Sequence, residues 1–219
     1  MTWIKICGIT NLKDALTAVD AGADALGFVL YEKSPRYVAP DTAREIVRQV
    51  PANIETVGIF VDQFENSICE SADRVGLTAV QLHGKDEDPH VADLIVQQRP
   101  QLKVLVAISM LRTSPEGWAM MWNPEAVYAF LLDSGSSQKL GGTGMVFDWN
   151  ATRPSASVMK TLGRVVVAGG LSSQNVVEAM SVLQPWGVDV SSGVEASPGK
   201  KDPEKVRAFV QAVRASDNN

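Results

Sequence analysis

The chain has 219 residues, of which 45% are hydrophobic and 21% are charged, and its formal net charge is −5. This size and composition allow a sizeable buried core, and α/β barrels of about 200–250 residues form one domain, so we expect residues 1–219 to be a single domain. The acidic balance and the lack of a basic stripe argue against nucleic acid as a partner.

The sequence also predicts a cellular location and argues against disulfides and a metal site. Its start has no basic region followed by a long apolar stretch, and no run approaches the roughly 18 apolar residues of a membrane span, so we expect a cytoplasmic protein without membrane contact. Cys7 and Cys69 are too few for a disulfide framework. Together with His83 and His90, they have no spacing that resembles a metal site.

Strand-like and helix-like segments alternate eight times. The predicted strands are Trp3–Ile9, Ala25–Leu30, Glu55–Val61, Ala79–His83, Leu102–Ser109, Val127–Ser134, Arg164–Leu171 and Gly187–Val194. The clearest predicted helices are Leu12–Ala21, Pro40–Val50, Asn66–Val75, Pro89–Gln98, Gln174–Leu183 and Pro203–Ala215. Regular alternation of this kind favours a closed parallel (β/α)8 TIM barrel.

The fifth and sixth helical segments are weaker than the others. Pro115 and Gly117 interrupt the stretch Thr113–Asn123, and only Phe147–Thr152 looks helical before Pro154. Proline in a helix interior removes a hydrogen bond and clashes with the preceding turn. We therefore expect the fifth and sixth helical units to be abbreviated.

Three consecutive strands in the second half of the chain lead into glycine-bearing turns. These turns contain Gly141–Gly144, Gly169–Gly170 and Gly193. Glycine at a strand end lets backbone N–H groups approach an anion, and barrels of this class commonly bind phosphate after strands seven and eight. Any one such turn is better explained by tight turn geometry alone, but three in succession favour a phosphorylated small-molecule ligand.

Alternation along the strands predicts which polar side chains face the barrel axis. On the first strand, Lys5 and Cys7 fall on the face opposite Ile4 and Ile6. The same test points further polar residues inward: Gln81, His83, Asp133, Asp189 and Ser191. Several of them lie near the C-terminal ends of their strands, where TIM barrels place their chemistry.

Short motifs that follow one another along nearly the whole chain carry a family resemblance. They are Lys5–Thr10, Gly22–Phe28, Ser34–Tyr37, Val57–Val61, Val80–Gly84, Leu132–Asp133, Gly141–Gly144 with Phe147–Trp149, Ala168–Leu171 with Asn175–Val176, and Val190–Glu195 with Pro198–Asp202. In this order, they resemble the motifs of the phosphoribosylanthranilate isomerases of tryptophan biosynthesis. In the fifth unit, Leu111–Ala126 contains no family motif that can be placed.

The resemblance implies an Amadori rearrangement without a cofactor, in which Cys7 is the general base and Asp133 the general acid. A thiol base needs a neighbouring positive charge or donor that favours the thiolate, whereas the acid needs a dry pocket that raises its pKa. Without the family motif, Cys7 reads more simply as a small buried hydrophobe and Asp133 equally well as a turn cap. Cys69, within a predicted helix, is expected to be structural.

The resemblance also implies substrate-binding roles. Arg36 would position the anthranilate carboxylate, although an ordinary solvated loop arginine is the alternative. The phosphate cradle would be formed by Gly142, Gly144, Gly169, Gly170, Ser192 and Gly193. His83 is expected either to bind ligand or to finish the fourth strand. Lys5 and Asp189, on neighbouring strands, are expected to form a buried structural pair.

Two other functions are compatible with the fold. The sugar isomerase of histidine biosynthesis performs similar chemistry, but that family uses a pair of aspartates as acid and base. Here the first strand offers Cys7 where that family would need a carboxylate. A non-catalytic phosphosugar-binding barrel would be expected to lack one of the inward acid and base groups. For the oligomeric state, the sequence leaves monomer and homodimer open.

Overall fold

The computed structural model describes residues 1–84, 88–135 and 146–217. Its eight parallel strands close into a barrel in chain order, with the first strand paired to the last. They are β1 Trp3–Cys7, β2 Ala25–Val29, β3 Glu55–Phe60, β4 Ala79–Leu82, β5 Lys103–Ser109, β6 Ala129–Asp133, β7 Arg164–Val167 and β8 Gly187–Val190. The predicted (β/α)8 barrel is therefore confirmed.

Helices surround the barrel. They are α1 Leu12–Ala21, α2 Pro40–Val47, α3 Glu65–Val75, α4 His90–Gln98, α5 Pro115–Ala119, α6 Trp149–Leu162, α7 Val176–Leu183 and α8 Pro203–Asp217. A 3-10 helix, Ser192–Val194, and a small antiparallel hairpin, β9 Glu195–Ser197 with β10 Lys200–Lys201, follow β8. Within the described ranges, no helix combines the length and apolar content needed to cross a bilayer.

The two helices predicted to be abbreviated behave differently. α5 is indeed short, with five residues. α6 runs for 14 residues through Pro154, so the prediction of a shortened sixth unit was wrong. Asp148 caps its start by accepting a hydrogen bond from the Ala151 N–H at 3.0 Å, and the helix buries Ala156 and Met159 beyond the proline. Capping and packing thus outweigh the roughly 3 kcal/mol that an interior proline costs.

Two layers of apolar side chains confirm the predicted inward and outward faces. Ile4 and Ile6 of β1 pack in the outer layer between barrel and helices. Trp3 belongs to the inner layer, which fills the barrel axis with small and branched side chains from alternate strand positions. Lys5 and Cys7 share the parity of Trp3 and are buried with it. The polar residues at the C-terminal ends of the strands therefore lie next to a packed apolar layer that fills the barrel interior.

The last helix joins the two ends of the chain. The backbone N–H of Thr2 donates to Oδ2 of Asp217 at 2.9 Å, and Nη2 of Arg214 donates to Oδ2 of Asp24 at 2.8 Å. α8 also buries Phe209 and Val213 against the barrel. Closure of the sheet between β1 and β8 is thus covered by an element that contacts the start of the chain.

Candidate active site

A pocket opens at the C-terminal ends of the strands. The space between its walls, including the open mouth, is about 760 Å³. Seven of the ten predicted site residues line it: Cys7, Arg36, His83, Asp133, Gly169, Gly170 and Ser192. Gly193 adjoins it in the 3-10 helix, whereas Gly142 and Gly144 lie outside the described residues.

Cys7 is the last residue of β1 and is almost fully buried. Burial raises the pKa of its thiol above the usual value, and the Asp189 carboxylate adds to this effect. The ammonium groups of Lys5 and Lys201 act in the opposite direction but do not compensate. The expected positive neighbours are therefore present, but they do not bring the pKa of the Cys7 thiol below its usual value.

Asp133 ends β6 and faces the same pocket. Burial raises the pKa of its carboxyl, but the His83 side chain and the backbone N–H groups of Gly135 and Ser134 outweigh burial and hold the pKa below its usual value. The expectation of a raised pKa for Asp133 was wrong, because it considered burial alone and not the hydrogen-bond donors around the carboxylate. Oδ2 of Asp133 is buried and has no well-directed hydrogen bond from the described residues, although His83 Nε2 lies 3.4 Å away.

Lys5 forms the predicted buried pair with Asp189. Its Nζ lies 2.9 Å from Oδ1 of Asp189 and 2.8 Å from Oε1 of Gln81, with the ammonium group fully shielded from solvent. Burial lowers the pKa of Lys5, but Asp189 and Cys7 outweigh it and the pKa is raised. Lys5 therefore stays charged beside Cys7.

Arg36 does not extend freely into solvent. Its Nε and Nη2 donate to the two carboxylate oxygens of Glu195 at 2.9 and 2.7 Å, and both side chains are largely buried. Lys201 Nζ donates to the same carboxylate at 3.0 Å. Burial raises the pKa of Glu195, but Arg36 and Lys201 outweigh it and the pKa lies below its usual value. Glu195 thus fixes one edge of the guanidinium group of Arg36, and Arg36 lines the pocket.

The late glycine turns lie where phosphate binding was predicted. Gly169 and Gly170 both have positive φ, +76° and +68°, a conformation that glycine adopts without strain. Asn175 secures this turn, since its Nδ2 donates to the Gly170 carbonyl at 3.0 Å. Facing it, Gly193 approaches the Leu171 carbonyl so closely that a Cβ there would overlap it.

Four backbone donors of this corner have no acceptor in the part of the chain that the structure describes. The N–H groups of Gly169, Gly170, Ser192 and Gly193 donate to no acceptor within the described ranges. Gly169, Gly170 and Ser192, in turns that follow β7 and β8, line the same pocket. Backbone N–H groups of such turns can bind an anion without basic side chains.

Several functional positions were not assigned from sequence. Glu195 and Lys201 stand behind Arg36, and Tyr31, Ser34 and Leu171 line the pocket. Glu195 lies within a motif quoted above, but its distance of 159 residues from Arg36 hides the pairing. Among the described residues, no group of three or more His, Cys, Asp or Glu side chains is suited to hold a metal ion.

Comparison with known proteins gives concordant matches. The family model described as N-(5'-phosphoribosyl)anthranilate isomerase matches residues 4–212. The N-(5'-phosphoribosyl)anthranilate isomerase of Geobacter sp. (strain M21) is 48% identical over 214 residues, covering 98% of each chain. That of Citrifermentans bemidjiense is 47% identical over 214 residues, again with 98% coverage of both.

Solved structures agree with the sequence matches. The phosphoribosyl anthranilate isomerase of Thermotoga maritima superposes with a TM-score of 0.87 at 38% identity, covering 98% of this chain and 100% of the other. A second structure, in complex with reduced 1-(o-carboxyphenylamino)-1-deoxyribulose 5-phosphate, has a TM-score of 0.84 at 37% identity with the same coverage. By these matches, the chain belongs to the N-(5'-phosphoribosyl)anthranilate isomerase family.

Proposed function

We propose that this chain performs the reaction of its family with Cys7 as general base and Asp133 as general acid. It isomerises N-(5'-phosphoribosyl)anthranilate to 1-(2-carboxyphenylamino)-1-deoxyribulose 5-phosphate, an aldose–ketose rearrangement of tryptophan biosynthesis. Membership of the family decides against the histidine-pathway isomerase and against a non-catalytic sugar-binding barrel.

One observation carries the assignment of roles. Cys7 and Asp133 end two strands, β1 and β6, that are three positions apart around the closed ring, and both line the same pocket. A sugar bound between them would have one group on each side. General acid–base catalysis of this rearrangement requires that arrangement, since one group protonates the ribose ring oxygen while the other removes the C2′ proton.

The proton transfers balance as follows. Asp133, in its protonated form, gives its proton to the ring oxygen as the C1′–O bond breaks and the nitrogen lone pair forms the C1′=N bond, which leaves a protonated Schiff base. The Cys7 thiolate then takes the C2′ proton, and the enol that forms becomes the ketone as C1′ gains a proton and the C2′ hydroxyl loses one. Cys7 ends protonated and Asp133 ionised, so one proton must return from Cys7 to Asp133 before the next cycle.

The pKa shifts define how the free protein meets this requirement. Burial holds the proton on Cys7, and the donors around Asp133 keep that carboxyl ionised. The reactive form, with thiolate and carboxylic acid, contains the same number of protons and differs only in which group holds one. In the proposed mechanism, catalysis therefore proceeds by reverse protonation, in which the reactive form is a minor species with the same pH dependence as the major one.

The substrate's two anionic ends fit the two ends of the pocket. Free N–H groups of the turns at Gly169–Gly170 and Ser192–Gly193 would bind the phosphate. Arg36, held on one edge by Glu195, would offer its remaining donors to the anthranilate carboxylate. The predicted contribution of Gly142 and Gly144 to the phosphate cradle is part of the same proposal.

Turnover by the purified protein tests the assignment directly. Freshly generated phosphoribosylanthranilate should lose its fluorescence when the protein is added, and the Asp133→Asn and Cys7→Ser variants should lose most of this activity while still binding a reduced product analogue. Unchanged turnover in either variant would remove that residue from its role.

Two further properties remain proposals. A dimeric phosphoribosylanthranilate isomerase is known from Thermotoga maritima, and for this chain monomer and homodimer are distinguished by sedimentation equilibrium. A cytoplasmic location and the absence of nucleic acid as a partner rest on the sequence features described above.

A further inference from the structure

A line of polar contacts crosses the barrel interior from β1 to β6. Lys5 Nζ donates to Oε1 of Gln81 at 2.8 Å. Nε2 of Gln81 lies 3.4 Å from Nδ1 of His83, and Nε2 of His83 lies 3.4 Å from Oδ2 of Asp133. Lys5, Gln81 and Asp133 are buried, and the His83 side chain is 17% exposed where it lines the pocket, so these contacts are largely shielded from bulk water.

The chemistry of each group fixes the direction of the hydrogen bonds. An ammonium group can only donate, so the side-chain oxygen of Gln81 must face Lys5 and its NH₂ group must face His83. An NH₂ group also only donates, and Nδ1 of His83 must therefore accept. The imidazole proton is then on Nε2, which is the nitrogen that faces Asp133.

We propose that Gln81, oriented by Lys5, is a positioning residue that holds His83 as the neutral Nε2–H tautomer and so presents a donor to Oδ2 of Asp133. The catalytic part of this inference rests on the proposed function, in which Asp133 is the acid. The tautomer itself follows from the contacts of Lys5, Gln81 and His83 alone.

A neutral donor suits a residue that must both give and regain a proton. The Nε2–H group stabilises the carboxylate that Asp133 becomes as its proton leaves for the ring oxygen. A positively charged imidazolium at the same place would stabilise that carboxylate further and reduce the population of the protonated acid. Accepting a hydrogen bond at Nδ1 opposes this, because a protonated Nδ1 would point at the donor group of Gln81.

The Gln81→Glu substitution replaces the donor that faces Nδ1 of His83 by an acceptor, with little change in side-chain size. The introduced carboxylate still accepts from Lys5 but offers His83 an acceptor, so the ring should carry a proton on Nδ1. Asp133 then faces either an imidazolium or an unprotonated Nε2. We expect kcat to fall on the order of tenfold, the effect of one pKa unit on the availability of the acid, with KM within about threefold.

Nitrogen-15 NMR of the histidine-labelled protein measures the tautomer directly. The chain contains two histidines, and the His90 side chain is 83% exposed, so it is an internal reference that His90→Asn assigns. We expect a protonated Nε2 and an unprotonated Nδ1 for His83 in the wild-type protein at pH 8, and a protonated Nδ1 in Gln81→Glu. A wild-type His83 protonated on Nδ1 would overturn the proposal, whether or not the variant folds.

Two further outcomes separate this inference from the proposed function. If Gln81→Glu leaves the His83 resonances unchanged, the positioning role of Gln81 is wrong even if Asp133 is the acid. If Asp133→Asn retains normal turnover, the acid assignment fails, while the His83 spectrum still reports on Gln81. A Gln81→Glu variant with a protonated Nδ1 and reduced kcat supports both steps of the inference.

Discussion

The guanidinium group of Arg36 and the carboxylate of Glu195 meet edge to edge, with Nε and Nη2 each donating to a different oxygen. Two parallel hydrogen bonds fix the plane of the guanidinium as well as its position. Arg36 therefore reaches the pocket already oriented, and little side-chain entropy remains to be lost when a carboxylate binds.

Replacing Arg36 by Lys tests this orientation, because it keeps the charge and removes the planar fork. We expect KM to rise by about 10- to 100-fold, corresponding to the 1.5–3 kcal/mol of charged hydrogen bonds, with kcat little changed. Steady-state kinetics measure both constants. Arg48→Lys, in the exposed ion pair with Glu45, is the control and should behave as wild type. A fall in kcat with unchanged KM would place Arg36 in the chemical step instead.

The assignment of Asp133 predicts a specific change in pH dependence. In the wild-type protein, kcat/KM should be flat across neutral pH, because the pKa of Asp133 lies below its usual value and that of Cys7 above. Activity should be lost only at acidic pH, as Asp133 is protonated, and at alkaline pH, as Cys7 ionises. In Asp133→Asn, the residual reaction needs only the thiolate, so kcat/KM should rise by about tenfold per pH unit across the same range. A flat residual profile would contradict the assignment.

The assignment of Cys7 predicts a loss of the chemical step. Cys7→Ser should lower kcat by at least about 10²-fold, since a hydroxyl does not ionise in this pH range and cannot accept the C2′ proton. Binding of a reduced product analogue, measured by calorimetry, should persist. Cys69→Ser is the matched control, because Cys69 is buried in the outer core on α3, and it should retain activity. Turnover of Cys7→Ser near the wild-type rate would assign the base elsewhere.

The phosphate corner can be tested with two alanine substitutions. A Cβ at Gly193 would overlap the Leu171 carbonyl, so Gly193→Ala must separate the two turns that present free N–H groups. We expect about a tenfold or greater weakening of inhibition by inorganic phosphate, as hydrogen bonds to a charged group are lost. Gly163→Ala has no neighbouring atom within 4 Å and should leave this inhibition unchanged. Equal inhibition in both variants would argue against phosphate binding at this corner.

The buried pair of Lys5 and Asp189 should contribute strongly to stability. Lys5→Met removes one partner and leaves the Asp189 carboxylate without its counter-charge, which we expect to cost about 3–5 kcal/mol in the free energy of unfolding. Urea denaturation measures this cost. Arg74→Met, which breaks an exposed pair with Asp41, should cost less than about 1 kcal/mol. Similar costs for the two variants would mean that the Lys5 site is far more hydrated than its burial indicates.

The predictable parts of this site follow from local periodicity. Alternation along β1 and β6 was enough to predict that Cys7 and Asp133 face the barrel axis, because side chains in a strand change face at every residue. The family motifs then supplied their roles. By the same local logic, Pro154 suggested an early end to α6, and here local preference failed because the helix is stabilised by contacts with the rest of the barrel.

The remaining parts depend on contacts between distant segments. Glu195 reaches Arg36 across 159 residues of sequence, and strand parity says nothing about such pairs. The direction of the pKa shift of Asp133 could not be predicted from the sequence either, because it depends on donors from His83 and from the backbone of the following turn. A predicted dry pocket specifies burial, but the balance between burial and donors is a property of the assembled site.

The Lys5–Asp189 contact spans the junction at which the first and last strands meet, and it joins residues 184 positions apart in the chain. A growing or truncated chain that has not added β8 offers Lys5 no carboxylate from that strand, and Gln81 then receives its hydrogen bond from an ammonium group without its counter-charge. Lys5 therefore gains its full set of partners only when the barrel is complete. Half-barrel fragments of this protein would have to reassemble across that junction before they could turn over substrate, and recovered activity would report the closure of the ring.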